Sequence, residues 1–153
     1  QNTAWPNAEK ALQNLQKEKA FTPERIAKID QTQLARLIRP AGYFNQKTRK
    51  LKIFSEFYLQ QKGQTPSRDA LLALWGIGPE TADSILLYAY SQNEFVVDAY
   101  TRRIGSAQKW FPPDAPYHEI KSFFQSALQP DYRVFQEYHA LLVEHGKHKG
   151  GHQ

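Results

Sequence analysis

The chain has 153 residues, 41% of them hydrophobic and 23% charged, which is typical of a globular domain that buries its own core. Its net charge of +5 favours a polyanionic partner. The sequence contains no cysteine and no long apolar run, which excludes disulfides, thiolate metal sites and a membrane-spanning helix within these residues.

Helical signals follow one another through the first part of the chain. Pro6 suits the first turn of a helix with an apolar stripe, and the pair Thr22-Pro23 indicates a second helix start. A third, short helix is predicted before Pro40, which stops it. A long helix is then predicted over residues 45–62. Its expected apolar face consists of Leu51, Phe54, Phe57 and Tyr58.

The segment over residues 41–47, at the start of this long helix, combines glycine with aromatic and polar side chains. We expect Phe44 to pack inward, whereas Tyr43 is either a half-buried loop residue or a side chain that faces a partner. A basic cluster overlaps this segment, and it consists of Lys47, Arg49, Lys50 and Lys52. Such a cluster is either a solvated helix face or a set of phosphate contacts.

Residues 71–89 predict two helices joined by the glycine hairpin Gly76-Ile77-Gly78. Glycine is costly inside a helix, and Pro79 suits the first position of the next one. Residues without Cβ atoms let backbone N–H groups approach an anion, and the helix N-terminus adds partial positive charge. We expect Gly78 to hold a positive φ, which bulky side chains resist. The alternative is a tight turn that only joins two packed helices.

Asp98 follows the apolar triplet Phe95-Val96-Val97 and opens another predicted helix. The triplet is expected to be extended but is too short to start a sheet. Asp98 is either a helix N-cap alone or a catalytic carboxylate, and a cap would fix the direction of such a carboxylate. The valines raise its pKa and the helix end lowers it, and the pattern does not decide which effect dominates. Two further amphipathic helices follow, over residues 116–128 and 132–145.

The hairpin and the aspartate together resemble the helix-hairpin-helix (HhH-GPD) DNA glycosylases of the endonuclease III superfamily. In that family the pattern Leu-x-Gly-Val/Ile-Gly-x-x-Thr-Ala leads to Val-Asp-x-x-x-x-Arg. The matching residues are Leu74, Gly76, Ile77, Gly78, Thr81, Ala82, Val97, Asp98 and Arg103. Residues 76–83, together with residues 1–3 and 39–47, resemble most the 3-methyladenine DNA glycosylases of endonuclease III type.

The resemblance implies a compact, all-α, endonuclease III-like fold and a base-excision repair enzyme. Such an enzyme flips a damaged base out of duplex DNA and hydrolyses its N-glycosidic bond, with an alkylated purine as one candidate base. The resemblance assigns catalysis to Asp98 and the base pocket to Trp5 and Glu80, although Trp5 is equally explained as a core residue. It assigns DNA contacts to Gly76, Ile77, Gly78, Thr81, Gln1, Tyr43 and Lys47.

One residue departs from the family pattern. Bifunctional members carry a lysine two residues after the second hairpin glycine, and its amine forms a Schiff base with the sugar. Here that position is Glu80, which cannot form an imine, so a monofunctional glycosylase is expected. Two alternatives remain: a DNA-binding module without activity, and a bifunctional lyase whose lysine lies elsewhere in the chain. Lys109 and Lys121 lie in regions where the family has no nucleophilic lysine.

We predict one HhH-GPD region over residues 1–153, a fragment that lacks a preceding buried helix and a C-terminal iron–sulfur loop. No metal or cofactor is expected within these residues, apart from a monovalent cation at the hairpin as an open alternative. A cluster is expected only if cysteines follow the C-terminus. The expected partner is double-stranded DNA with a damaged base, bound by a monomer with no membrane association. The expected location is the cytoplasm, with the nucleoid, if the source is bacterial or archaeal.

Overall fold

A computed structural model describes residues 3–149, with only the backbone at residues 148 and 149. Within this range the chain forms nine α-helices, one 3-10 helix and no strand, which confirms the all-α prediction. The α-helices are α1 (Trp5–Lys17), α2 (Pro23–Lys28), α3 (Gln31–Leu37), α4 (Phe44–Gln60), α5 (Arg68–Leu72), α6 (Pro79–Ala89), α7 (Ala99–Ala107), α8 (Tyr117–Ala127) and α9 (Tyr132–Lys149). The 3-10 helix is Arg39–Ala41.

The chain divides into two compact units, with the boundary between Ile77 and Gly78. In the first unit α2 and α3 pack on α4, and α1 packs on the 3-10 helix. Thr22 caps α2 as predicted, since its side chain accepts a hydrogen bond from the Arg25 N–H, and Asp30 caps α3 by accepting two hydrogen bonds from the start of that helix. Its core consists of Ala11, Leu15, Ala20, Ile26, Leu34, Ile38 and Ala41.

The predicted apolar face of α4 is only partly correct. The fully buried side chains of this helix are the small residues Thr48 and Ser55, while Leu51, Phe54 and Phe57 are partly buried. Tyr58 is 41% exposed, so its assignment to the buried face was wrong. Small side chains let neighbouring helices approach closely, and hydrophobicity alone does not mark such positions.

In the second unit α7 and α6 both pack on α9. The triplet Phe95-Val96-Val97 lies outside the helices, and each of its side chains is at most 1% exposed. The Phe95 ring stacks on Phe124 with centroids 4.4 Å apart and meets Phe135 edge-on at 5.7 Å. This aromatic packing anchors the segment that ends at Asp98.

The arginine of the family pattern, Arg103, holds α7 against α9. Its Nη2 donates to the Gly146 carbonyl at 2.5 Å, and its guanidinium lies 5.3 Å from the centre of the Tyr100 ring. Gly146 permits this approach, because a Cβ at that position would lie 2.4 Å from the Tyr100 ring. This contact places one face of α9 beside the start of α7, where Asp98 lies.

Candidate active site and hairpin

Asp98 caps α7, and both of its carboxylate oxygens have partners. Oδ1 accepts hydrogen bonds from the Thr101 backbone N–H at 2.8 Å and from the Thr101 hydroxyl at 2.9 Å. Oδ2 lies 3.3 Å from Nε2 of His139, a residue of α9, at an ion-pair distance that falls short of hydrogen-bond geometry. The carboxylate is therefore fixed in direction but retains 16% of its exposure.

The structure decides the direction of the Asp98 pKa shift, which the sequence left open. Desolvation raises the pKa, but the contact with His139 and the two hydrogen bonds from Thr101 outweigh it and hold the pKa below its ordinary value. Asp98 is therefore ionised at neutral pH. A fixed, ionised and partly desolvated carboxylate can stabilise positive charge that develops beside it.

Sequence reasoning missed His139 and Tyr88. Nδ1 of His139 lies 2.7 Å from the Tyr88 hydroxyl, so Tyr88, His139 and Asp98 form a chain of polar contacts across α6, α9 and α7. The three residues are far apart in the sequence. Only the packing of these helices brings them together, and no local spacing could have indicated it.

Glu80 lies in the first turn of α6, and its carboxyl is close enough to Asp98 to sense its charge. Partial desolvation and, next, the Asp98 carboxylate raise the pKa of Glu80. Since the Glu80 residue as a whole is exposed, solvent weakens this effect. The structure thus brings together two predicted site residues, Asp98 and Glu80, in the second unit.

A second polar network supports the segment before Asp98. Asp83, whose side chain is fully buried, accepts from the Tyr117 hydroxyl at 2.8 Å and from the Lys121 ammonium at 2.9 Å. The Tyr117 oxygen in turn accepts from the Val97 N–H at 3.3 Å. Lys121 also contacts the Glu94 carboxylate. This network fixes the backbone that delivers Asp98 to α7.

The hairpin glycines differ from the prediction in one respect. The positive φ belongs to Gly76, at +84°, whereas Gly78 is extended with φ −93° and ψ 177°. The turn reverses at Gly76, where the Ile77 N–H bonds to the Leu74 carbonyl, and Gly78 already serves as the N-cap of α6. A Cβ on Gly76 would also lie 2.6 Å from the Lys50 side chain, while nothing lies within 4 Å of one on Gly78. Thr81 follows in the first turn of α6 and is partly buried.

The segment before α4 exposes Tyr43 on a left-handed backbone. Tyr43 has φ 45° and is 67% exposed, which rules out the half-buried alternative, while Phe44 packs against the first core as predicted. Lys47 donates to the Ala41 carbonyl at 2.5 Å and thereby braces this turn. Desolvation, followed by the charge of Lys50, lowers the pKa of Lys47. A bulky residue held at positive φ stores strain, and such positions concentrate at functional sites.

The basic cluster at the start of α4 is not one phosphate-facing patch. The Lys52 ammonium donates to three carbonyls at the end of α2, those of Ile26, Ala27 and Ile29. The Arg49 guanidinium instead lies 4.0 Å from the centre of the Trp75 ring, next to the hairpin. Helical geometry points these side chains in different directions.

Trp5 begins α1 and is 70% exposed, so its interpretation as a core residue was wrong. The structure leaves its assignment to a base pocket as a prediction. Gln1 lies outside the described residues, so its predicted DNA contact has no structural counterpart here.

Among the side chains that the structure describes, those of residues 3–147, no group of three or more histidines, cysteines, aspartates or glutamates is arranged to hold a metal ion. Within residues 3–149, no helix is both long and apolar enough to cross a membrane.

An all-α chain with a glycine hairpin between two helices, followed by a helix-capping aspartate, defines the class of helix-hairpin-helix DNA repair proteins. The family model described as HhH-GPD superfamily base excision DNA repair protein matches residues 1–130. The chain therefore belongs to the HhH-GPD superfamily of base excision DNA repair proteins, and within it to the DNA glycosylases.

Individual relatives agree with this assignment. A Methanocaldococcus jannaschii protein with the provisional name of a DNA repair glycosylase is 42% identical, over 96% of this chain and 72% of its own length. Endonuclease III of Sulfolobus acidocaldarius is 30% identical over 83% of this chain, which spans 58% of that protein. The 3-methyladenine DNA glycosylase of H. pylori, solved with 1,N6-ethenoadenine, superposes with a TM-score of 0.85 at 28% identity, covering 97% and 80% of the two chains. These matches confirm the resemblance seen in the sequence and the endonuclease III-like fold.

Proposed function

We propose that this chain is a monofunctional glycosylase that acts as a monomer on double-stranded DNA and hydrolyses the glycosidic bond of a damaged base. The observation that carries the proposal is the geometry of Asp98. Its carboxylate is fixed by Thr101, faces His139 and has a lowered pKa. A carboxylate that served only as a helix cap would need the bond to Thr101 but not the contact through Oδ2.

Breaking an N-glycosidic bond builds positive charge on the deoxyribose. An ionised carboxylate beside the sugar stabilises that charge, most strongly where water is excluded. It can also orient or deprotonate the attacking water, as carboxylates do in glycoside hydrolysis. Asp98 has the charge and the fixed direction for both roles.

The proposed substrate class is an alkylated purine. Such a base is already cationic, so it needs little acid assistance to leave, and an aromatic face binds it by cation–π attraction. Trp5 and Tyr43 are both exposed aromatic residues of the first unit. Further support comes from the H. pylori relative, which is named a 3-methyladenine glycosylase and was solved with an adenine adduct.

Hydrolysis by water, without a lysine nucleophile, is favoured by Glu80 and by Lys121. Glu80 occupies the position of the imine-forming lysine of bifunctional members and cannot replace it. The Lys121 ammonium contacts two carboxylates, Asp83 and Glu94, and so is not available as a nucleophile. The second candidate is a bifunctional lyase, which the relatives named endonuclease III favour.

The test is release of free base from a panel of duplexes, each with one lesion: methylated and ethenoadducted purines, oxidised pyrimidines and uracil. We expect single-turnover release from an alkylated purine. Asp98→Asn should lower this rate by about two orders of magnitude or more, because it removes charge and keeps shape. Binding to the same duplex should change only a few-fold. Release by the variant at nearly the wild-type rate would reduce Asp98 to a helix cap.

A further inference from the structure

Tyr88 contacts His139, and His139 contacts Asp98, a series of polar contacts that the helix cap at Asp98 does not require. Oδ1 of Asp98 already accepts two hydrogen bonds from Thr101. A carboxylate has about four lone-pair sites, so Oδ2 is the oxygen that still has acceptor capacity for a substrate or a water. His139 is the residue that faces Oδ2, at 3.3 Å.

The proton positions follow from the contacts. Desolvation and, next, the Asp98 charge raise the pKa of Tyr88, so its hydroxyl is protonated at neutral pH and can donate to Nδ1 at 2.7 Å. In a neutral imidazole one nitrogen accepts and the other carries the proton, so an accepting Nδ1 leaves the proton on Nε2. Nε2 is buried, and within the described structure it lacks a partner with hydrogen-bond geometry. A small change in the Asp98 side chain would align the two groups.

We propose that His139 is the positioning residue for Asp98, with its Nε2–H directed at Oδ2 and its tautomer set by the Tyr88 hydroxyl. This inference rests on the proposed glycosylase function. The contact lowers the pKa of the carboxylate and fixes the plane in which Oδ2 meets the sugar or the attacking water. Tyr88 acts one step further away, through the imidazole.

Other charged groups face the same carboxylate and enter any pH dependence. Glu80 approaches from α6 and opposes the ionised form of Asp98, while Arg102 on α7 acts on Glu80. The Arg102 guanidinium is itself held by the Ala115 carbonyl at 2.8 Å. Replacing His139 removes only the imidazole that α9 contributes and leaves Glu80 and Arg102 in place.

The first arm of the test does not depend on activity. The Asp98 carboxyl is titrated by carbon-13 NMR in the wild type and in His139→Ala, His139→Gln and His118→Gln. His118 is an exposed residue of α8 and serves as the matched control. We expect the alanine variant to raise the Asp98 pKa toward its ordinary value, and the glutamine variant, which keeps an N–H donor, to restore much of the depression. An unchanged pKa in folded His139→Ala overturns the proposal.

The second arm tests the tautomer. Nitrogen-15 NMR at mildly alkaline pH should show the Nε2–H form of His139 in the wild type and a mixture of both forms in Tyr88→Phe. That variant loses one hydroxyl only, so it tests the proposal even if His139→Ala fails to fold. A predominant Nδ1–H form in the wild type contradicts the assignment.

The third arm connects positioning with catalysis. His139→Ala should lower single-turnover base release about tenfold, the effect of losing one hydrogen bond to a charged group, and should move the acid limb of the pH–rate profile to higher pH. His139→Gln should recover most of the rate, and His118→Gln should match the wild type. Unchanged rate and acid limb in His139→Ala would contradict a positioning role. If the wild type releases no base from any duplex, the proposed function fails, whereas the NMR arms still decide whether His139 holds Asp98.

Discussion

The lowered pKa of Asp98 makes it a stability determinant as well as a candidate catalyst. The folded-state pKa of Asp98 lies below the unfolded value. The contribution of its ionised carboxylate to the free energy of unfolding is therefore fully present above the unfolded pKa of about 4, and it disappears as the pH falls through the folded pKa. Asp98→Asn keeps an oxygen that accepts from Thr101 but loses this pH-dependent term.

The unfolding free energies of wild type and Asp98→Asn should therefore converge as the pH falls below the unfolded pKa of about 4 and through the lower folded-state pKa. Denaturant titrations across that range measure the difference, and Asp114→Asn, the same acid-to-amide change at an exposed residue between α7 and α8, controls for general acid effects. A difference that stays constant down to the lowest pH would mean that ionisation of Asp98 does not stabilise the fold.

At the scale of single residues, the sequence alone could predict that Asp98 caps a helix but not the direction in which its pKa shifts. The cap depends on residues within one turn, and the bond to Thr101 confirms it. The pKa depends on His139, which reaches Asp98 only because α9 packs on α7. Local patterns contain no information on such contacts.

At the scale of elements, the hairpin offers a matched pair of substitutions. Gly76→Ala places a Cβ at positive φ and against the Lys50 side chain, so it should lower the unfolding free energy by about 1–2 kcal/mol or more. Gly78→Ala meets extended backbone and open space, so it should cost only about 0.5 kcal/mol, because alanine is a poorer N-cap than glycine. Thermal and denaturant unfolding measure both, and equal destabilisation would refute the assignment of the turn to Gly76.

The same geometry makes Gly78→Val a clean test of anion binding. The substitution strains no backbone, so a loss of affinity for a duplex with a stable abasic site would report blocked approach of phosphate rather than damage to the fold. We expect a larger loss than for any single lysine of α4. Normal affinity would mean that the hairpin is only a structural turn.

We expect the basic residues of α4 to divide into a group that contacts phosphate and a group that stabilises the fold. Arg49→Ala should weaken duplex binding and lower the log–log salt slope by about one unit, because its guanidinium lies on Trp75 beside the hairpin. Lys52→Ala should leave that slope unchanged and reduce stability instead, since it removes the donor to the end of α2. Binding across a salt series and thermal unfolding distinguish the effects of the two variants. If Arg49→Ala and Lys52→Ala lowered the salt slope equally, both residues would contact phosphate.

Element starts were predictable where the signal was local. Helices start at Thr22, Pro79 and Asp98 as expected, because caps and prolines act on adjacent backbone groups. The left-handed residue of the hairpin was assigned to the wrong glycine, since two glycines one residue apart satisfy the same pattern. The separate contacts within the basic cluster could not be predicted, because Lys52 and Arg49 meet partners outside their own helix.

At the scale of the whole molecule, the fold was predictable because the paired motifs are specific to one superfamily. The all-α class and the endonuclease III-like architecture are both confirmed. The choice of base was not predictable from the same motifs, because the roles proposed for them are contacts with the DNA backbone and the sugar. We propose that selection of a base depends on exposed residues such as Trp5 and Tyr43, whose side chains no pattern constrains.

The reaction type is also a property of the whole chain, because any accessible lysine could supply the amine of a lyase. Borohydride reduction during turnover should trap no covalent protein–DNA complex, since Glu80 cannot form an imine and Lys121 is held by carboxylates. Glu80→Lys restores the amine of bifunctional members and serves as the positive control. That variant should yield a band of slower mobility on a denaturing gel. A band of equal intensity from the wild type would establish the bifunctional lyase in place of hydrolysis by water.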